Sequence, residues 1–165
     1  MGGLGSGNRY RDGSAKDTVE NRRCLNLSLM RREGAVPLCG RHSGGWQWTD
    51  GAAAGKPVSS LSYEADTSAE NGPYLRLFYT LTRTGERYDY RIPLAVTFPH
   101  FGGKRFLFLC LGCGRRTPKL YLHPPQGIYL CRRCNGLNYE SQHESPAFRA
   151  VIRRLRRGGD KPFSY

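Results

Sequence analysis

Two cysteine pairs dominate the chemistry available to this chain: Cys110-Leu-Gly-Cys113 and, seventeen residues further on, Cys131-Arg-Arg-Cys134. Two thiolates at CxxC spacing can turn onto one ion, and two such knuckles complete a tetrahedral four-sulfur shell. The interval is that of four-cysteine zinc sites. An iron–sulfur centre uses the same donors and is not separated by spacing, whereas a redox CxxC pair needs no duplicate. With Cys110, Cys113, Cys131 and Cys134 all engaged, no coordination position is left for water. The expectation is therefore one structural Zn2+ that holds the fold. Each knuckle follows a short apolar strand, 106–109 or 128–130, and precedes residues that tolerate a sharp turn, Gly114 and Asn135-Gly136.

The other two cysteines offer less. Cys39-Gly-Arg-His42 resembles half of a metal site but lacks a second half, and Cys24 reads as an ordinary, partly buried thiol. His100, His123 and His143 have no neighbouring nucleophile and carboxylate at an interpretable spacing, so no catalytic residue is expected and the chain reads as a non-enzyme.

Charge supplies the second functional signal. The 165 residues carry a formal net charge of +13. Residues 1–100 hold 13 Lys/Arg against 10 Asp/Glu, whereas residues 101–165 hold 13 against 3. Clustered cations bind polyanions by releasing condensed counterions, so nucleic acid is the expected partner. The candidate contacts are Lys104, Arg105, Arg115, Arg116, Lys119, Arg132, Arg133, Arg149, Arg153, Arg154, Arg156 and Arg157. Four thiolates on a divalent ion leave a formal charge of about −2, so Arg115, Arg116, Arg132 and Arg133 serve equally well as compensation for that charge.

These residues must be positioned by the surrounding elements. Residues 1–16 are rich in Gly and Arg and read as a flexible arm. Over 17–34, Asp17 or Thr18 offers an N-cap and Gly34 a stop for a short helix, although the alternation of Leu25, Leu27 and Leu29 equally permits an extended start. Strand patterns cover 45–49, 58–65, 74–82 and 88–98, with a hairpin turn at Thr84-Gly85-Glu86. Trp46 and Trp48 share one strand face and read as core. Pro124-Pro125-Gln126-Gly127 connects the ribbon strands 119–123 and 128–130. After Ser145-Pro146, a basic amphipathic helix is expected to Arg157, with Phe148, Val151, Ile152 and Leu155 on one face. The fold class is thus α+β: an antiparallel meander or small barrel over 17–104, a four-cysteine zinc ribbon over 105–140, and a C-terminal basic helix and tail over 141–165. No apolar run is long enough to span a bilayer and no secretory signal is visible, so a cytoplasmic protein is expected.

The start GGLGSGNRYR, the segment Phe101-Gly-Gly-Lys-Arg105, and Lys119-Leu-Tyr-Leu122 with the run from Cys131 to Gln142 together resemble a bacterial and phage family. Its members are small four-cysteine zinc-ribbon proteins of uncharacterised function associated with mobile elements. The resemblance implies a metal role for the cysteines and no substrate. The function expected is therefore that of a nucleic-acid-binding zinc ribbon, DNA-binding and regulatory or mobile-element associated. The alternatives are a protein-interaction adaptor, a phage or host factor that docks on polymerase or nuclease machinery, and, third, a nucleic-acid-processing enzyme.

Overall fold

The computed structural model describes residues 17–49, 57–124 and 126–139. The predicted arm over 1–16 and the predicted C-terminal helix both lie outside them. In chain order the described elements are β1 (Cys24–Asn26), α1 (Leu27–Arg32), β2 (Arg41–Thr49), β3 (Pro57–Asp66), β4 (Tyr74–Thr80), β5 (Arg87–Thr97), β6 (Arg105–Leu109), β7 (Arg116–Thr117), β8 (Lys119–Leu122) and β9 (Tyr129–Leu130). The described architecture is mostly antiparallel β with one six-residue helix, so among the described residues it departs from the α+β class expected from sequence, whose C-terminal helix lies outside them.

Six strands form a meander in the order β2-β3-β4-β5-β6-β7, curled into a half-barrel. Alternation explains which face turns inward, because successive side chains of a strand point to opposite sides. Leu61, Tyr63 and Ala65 of β3, Leu75 and Leu77 of β4, Ile92 and Leu94 of β5, and Phe106 and Phe108 of β6 are all buried. The expected turn at residues 84–86 closes the β4–β5 hairpin, where the Leu81 N–H donates to the Glu86 carbonyl at 2.9 Å.

The second sheet has the order β1-β8-β9. Its Leu25, Leu120, Tyr129 and Leu130 join Leu27 and Met30 of α1 in the same core as the half-barrel. Here the extended alternative for residues 24–26 prevails: β1 pairs with β8 in the register Leu25↔Leu120, and both leucines are fully buried. The helix consequently begins later than Asp17 or Thr18. Its cap is Asn26, whose side-chain oxygen accepts from the Ser28 and Leu29 N–H groups at 3.1 and 3.4 Å. Trp46 is buried, and Trp48 stacks on Tyr129 while its indole N–H donates to the Cys24 carbonyl at 2.9 Å.

A phenol relay ties the two sheets together. The Tyr129 N–H donates to Tyr90 Oη at 3.0 Å, the two hydroxyls of Tyr90 and Tyr79 meet at 2.9 Å, and the Tyr79 hydroxyl donates to the Gly127 carbonyl. Directionality follows: with Tyr79 donating to Gly127, Tyr90 must donate to Tyr79, and every group in the relay is satisfied. Burial pushes all three phenols upward, so they stay protonated donors. Gly127 itself is confined. Its φ of +65° is left-handed, and a β-carbon there would overlap the Tyr88 hydroxyl and lie 2.7 Å from Leu81 Cδ1.

Gly127→Ala should therefore cost about 2–5 kcal/mol, combining left-handed strain with overpacking. Tyr79→Phe, which orphans the Gly127 carbonyl, should cost about 1–3 kcal/mol. Urea unfolding checks both; a Gly127→Ala midpoint equal to that of the parent protein would contradict the clamped hairpin.

Candidate metal centre

The two knuckles arise from different sheets. The first, Cys110 to Cys113, links β6 to β7 at the edge of the half-barrel; the second, Cys131 to Cys134, follows β9 of the smaller sheet. Folding brings the four sulfurs within 4.8 Å of one another. Cys110 Sγ lies 3.8 Å from Cys134 Sγ, and Cys113 Sγ lies 3.6 Å from Cys131 Sγ. Sulfurs at about 2.3 Å from a central ion in a tetrahedron are separated by about 3.8 Å, which these contacts match. A disulfide needs about 2.05 Å, and all six cysteines are free.

Backbone hydrogen bonds shape each knuckle. The Gly114 N–H donates to the Cys110 carbonyl at 2.7 Å and the Cys110 N–H to the Arg115 carbonyl at 3.0 Å. In the second, the Asn135 N–H donates to the Cys131 carbonyl at 3.1 Å and the Leu137 N–H to the Arg132 carbonyl at 3.0 Å. The left-handed residues are Gly114 and Gly136, with φ of +66° and +64°; Asn135 is not one of them. Its role lies in the side chain, whose Nδ2 donates to the carbonyls of Tyr121, Leu130 and Cys131 at 3.0–3.3 Å. This amide staples the second knuckle to β8 and β9. At Gly112 a β-carbon would approach Cys134 Sγ to 3.2 Å, so the first knuckle needs a minimal residue where the second knuckle's ligand comes close.

The site is asymmetric in burial and charge. Cys110 and Cys131 are buried in the core, Cys134 is half-buried and Cys113 is exposed. The Arg115 N–H hydrogen-bonds Cys113 Sγ and brings that thiol down to about 7, so it is substantially ionised at neutral pH. Desolvation, followed by the neighbouring sulfurs, pushes Cys134 upward, and desolvation does the same to Cys131. A cation entering the cluster reverses that balance by favouring thiolate at every position. The centre can hold a metal ion.

Cys24 is not part of this cluster; it sits half-buried on β1, and burial raises it to about 11. Cys39 is exposed, and His42 Nδ1 lies 3.1 Å from the Tyr63 hydroxyl. Of the cationic candidates, Arg115, Arg116, Lys119 and Arg133 are exposed on or next to the knuckles, whereas Lys104 and Arg105 lie at the opposite end of β6 from Cys110. Arg132 is turned inward: it donates to the Leu137 carbonyl at 3.0 Å and lies 4.9 Å over the Tyr139 ring. Arg149, Arg153, Arg154, Arg156 and Arg157 lie outside the described residues. Ion pairs among the described residues join Arg22 to Asp17, Arg41 to Asp66 and Arg76 to Asp89, and include none of the seven described candidates.

Fold and site define a mostly antiparallel β protein whose four clustered cysteines could hold a metal ion. Comparison with protein-family models, curated proteins and solved structures found no match. Among the described residues no helix is long and apolar enough to cross a membrane.

Purified protein should carry one metal ion per chain. Cys110→Ser and Cys134→Ser should lose the metal and unfold at lower denaturant, while Cys24→Ser should retain both metal content and midpoint. Asn135→Ala removes no ligand yet should cost about 1–3 kcal/mol through its orphaned carbonyls. Elemental analysis combined with unfolding curves checks the set, and metal loss in Cys24→Ser equal to that in Cys110→Ser would overturn the ligand assignment.

Proposed function

We propose that this protein is a zinc-binding, nucleic-acid-binding protein in which one structural Zn2+ holds the knuckles and basic side chains beside them neutralise phosphates. The observation that carries this reading is the pairing of a four-sulfur cluster with exposed Arg115, Arg116, Lys119 and Arg133 on the same chain segments. Zinc suits the donor set because four thiolates in a tetrahedron meet its coordination preference without redox chemistry. A closed shell assigns the ion to folding. The arginines then act either on phosphate directly or by offsetting the thiolate charge, and those beyond the first turn of a knuckle are free to do the former.

On this reading the protein binds DNA in a regulatory role or in association with a mobile element, and the C-terminal arginines extend the contact. An adaptor that docks a protein partner is the second reading. It is favoured by Leu111, an apolar side chain 43% exposed inside the first knuckle.

Titrating labelled duplex DNA at several salt concentrations tests the proposal. Binding should weaken with salt, and replacing Arg115, Arg116 and Lys119 by Gln should reduce the slope of log affinity against log salt by up to about 3. Replacing Arg153, Arg154, Arg156 and Arg157 by Gln should reduce it by up to about 4. Absence of salt-dependent binding by the unaltered protein would exclude the nucleic-acid reading and leave the adaptor.

A further inference from the structure

The β5–β6 hairpin carries the most exposed large apolar side chains of the described residues. Phe101 is 99% exposed and Phe98 73%. Their projection is built into the loop. The Gly102 N–H donates to the Pro99 carbonyl at 2.9 Å, and the Thr97 hydroxyl donates to the Arg105 carbonyl at 3.2 Å, closing the hairpin beneath the rings. The His100 ring meets Phe101 edge to face, with centroids 5.9 Å apart. Around Gly102 and Gly103 a β-carbon would find no atom within 4 Å, so the space beside the rings is open. Two aromatic faces in water forgo the free energy of burial, and exposed Lys104 and Arg105 follow Phe101 after two glycines.

The chain segment that carries this tip has charge of one sign. Residues 90–139 contain eight Lys/Arg and not one Asp or Glu. Along β6, Phe106 and Phe108 point into the core, which leaves Arg105, Leu107 and Leu109 on the outer face. Leu109 pairs with Arg116 on β7, and Arg115 follows the knuckle at the same end. Cations are therefore placed at both ends of a five-residue strand, about 14 Å apart, with an aromatic pair at one end.

Resting on the nucleic-acid reading above, we propose that this hairpin is a stacking platform for single-stranded nucleic acid: unpaired bases lie on Phe98 and Phe101 while Lys104, Arg105 and the cations further along β6 and β7 follow the phosphates. Single strands fit better than duplex because a base must expose its face to stack, and phenylalanine offers a π surface with no hydrogen-bonding group to read sequence. A linear polyanion also fits better than a membrane. A bilayer surface meets the tip but not cations about 14 Å down the strand, and the loop lacks the Trp and Tyr that favour lipid interfaces.

The test compares the unaltered protein with Phe98→Ala/Phe101→Ala, Phe98→Tyr/Phe101→Tyr and Lys104→Gln/Arg105→Gln. Each is titrated with labelled oligo-dT and oligo-U, a duplex of equal length, and vesicles of phosphatidylcholine and phosphatidylserine. Because both rings are in solvent, metal content and the urea midpoint should be unchanged in every variant. The alanine pair should lose roughly 10- to 100-fold in single-strand affinity with its salt slope intact, and duplex affinity should stay within about two-fold. The tyrosine pair should bind single strands as the parent does, and the Lys104→Gln/Arg105→Gln slope should shrink by about 1.4. Unchanged single-strand affinity in the alanine pair, or an equal loss on duplex, overturns the platform while leaving nucleic-acid binding in place. No nucleic-acid binding by the parent overturns both readings, and tip-dependent capture of vesicles alone assigns the loop to a membrane surface.

Discussion

Four thiols whose sulfurs converge within 4.8 Å cannot all ionise without a cation between them, and this constraint organises the protein. Each pair belongs to a different sheet, so an ion bound by all four cross-links the edge of the half-barrel to the end of the β1-β8-β9 sheet. Cys110 and Cys131 belong both to the four-sulfur cluster and to the hydrophobic core. Metal affinity and core packing would thereby be coupled: loosening the core spreads the sulfurs, and an ion bound by all four adds its binding free energy to the hydrogen bonds that shape the knuckles.

A second tie reinforces the first from the other end of β9. The relay from Tyr129 through Tyr90 and Tyr79 to Gly127 fixes the β8–β9 hairpin against β4 and β5 with fully used hydrogen bonds. The hairpin is thus held at both ends, by phenols before β9 and by thiolates after it. Asn135 adds a staple that fixes the second knuckle to the strands feeding it. Such bracing matters because four ligands from two sheets form a single site only if the sheets keep a constant relation.

What could be read in the sequence follows the range of the forces involved. CxxC knuckles are local, so the four cysteines that converge were visible from spacing alone. The meander strands were visible from alternation, which reports a buried face directly. By contrast, β1 pairs with β8 nearly a hundred residues away, and only that pairing decides that Leu25 is extended and that Asn26, rather than Asp17 or Thr18, caps the helix. The staple of Asn135 and the clamp on Gly127 were hidden because their partners come from other strands. Phe98 read as the last residue of a strand; β5 in fact stops at Thr97, and Phe98 lies in solvent.

The coordination shell of the metal in the purified protein is the most direct test of a shared four-thiolate site. X-ray absorption at that metal's edge measures it. Four sulfur neighbours at about 2.3 Å, with no nitrogen or oxygen in the first shell, are the predicted result. A mixed shell containing imidazole or carboxylate, or a protein without metal whose cysteines are joined as disulfides, would contradict the claim that these four thiolates share one ion.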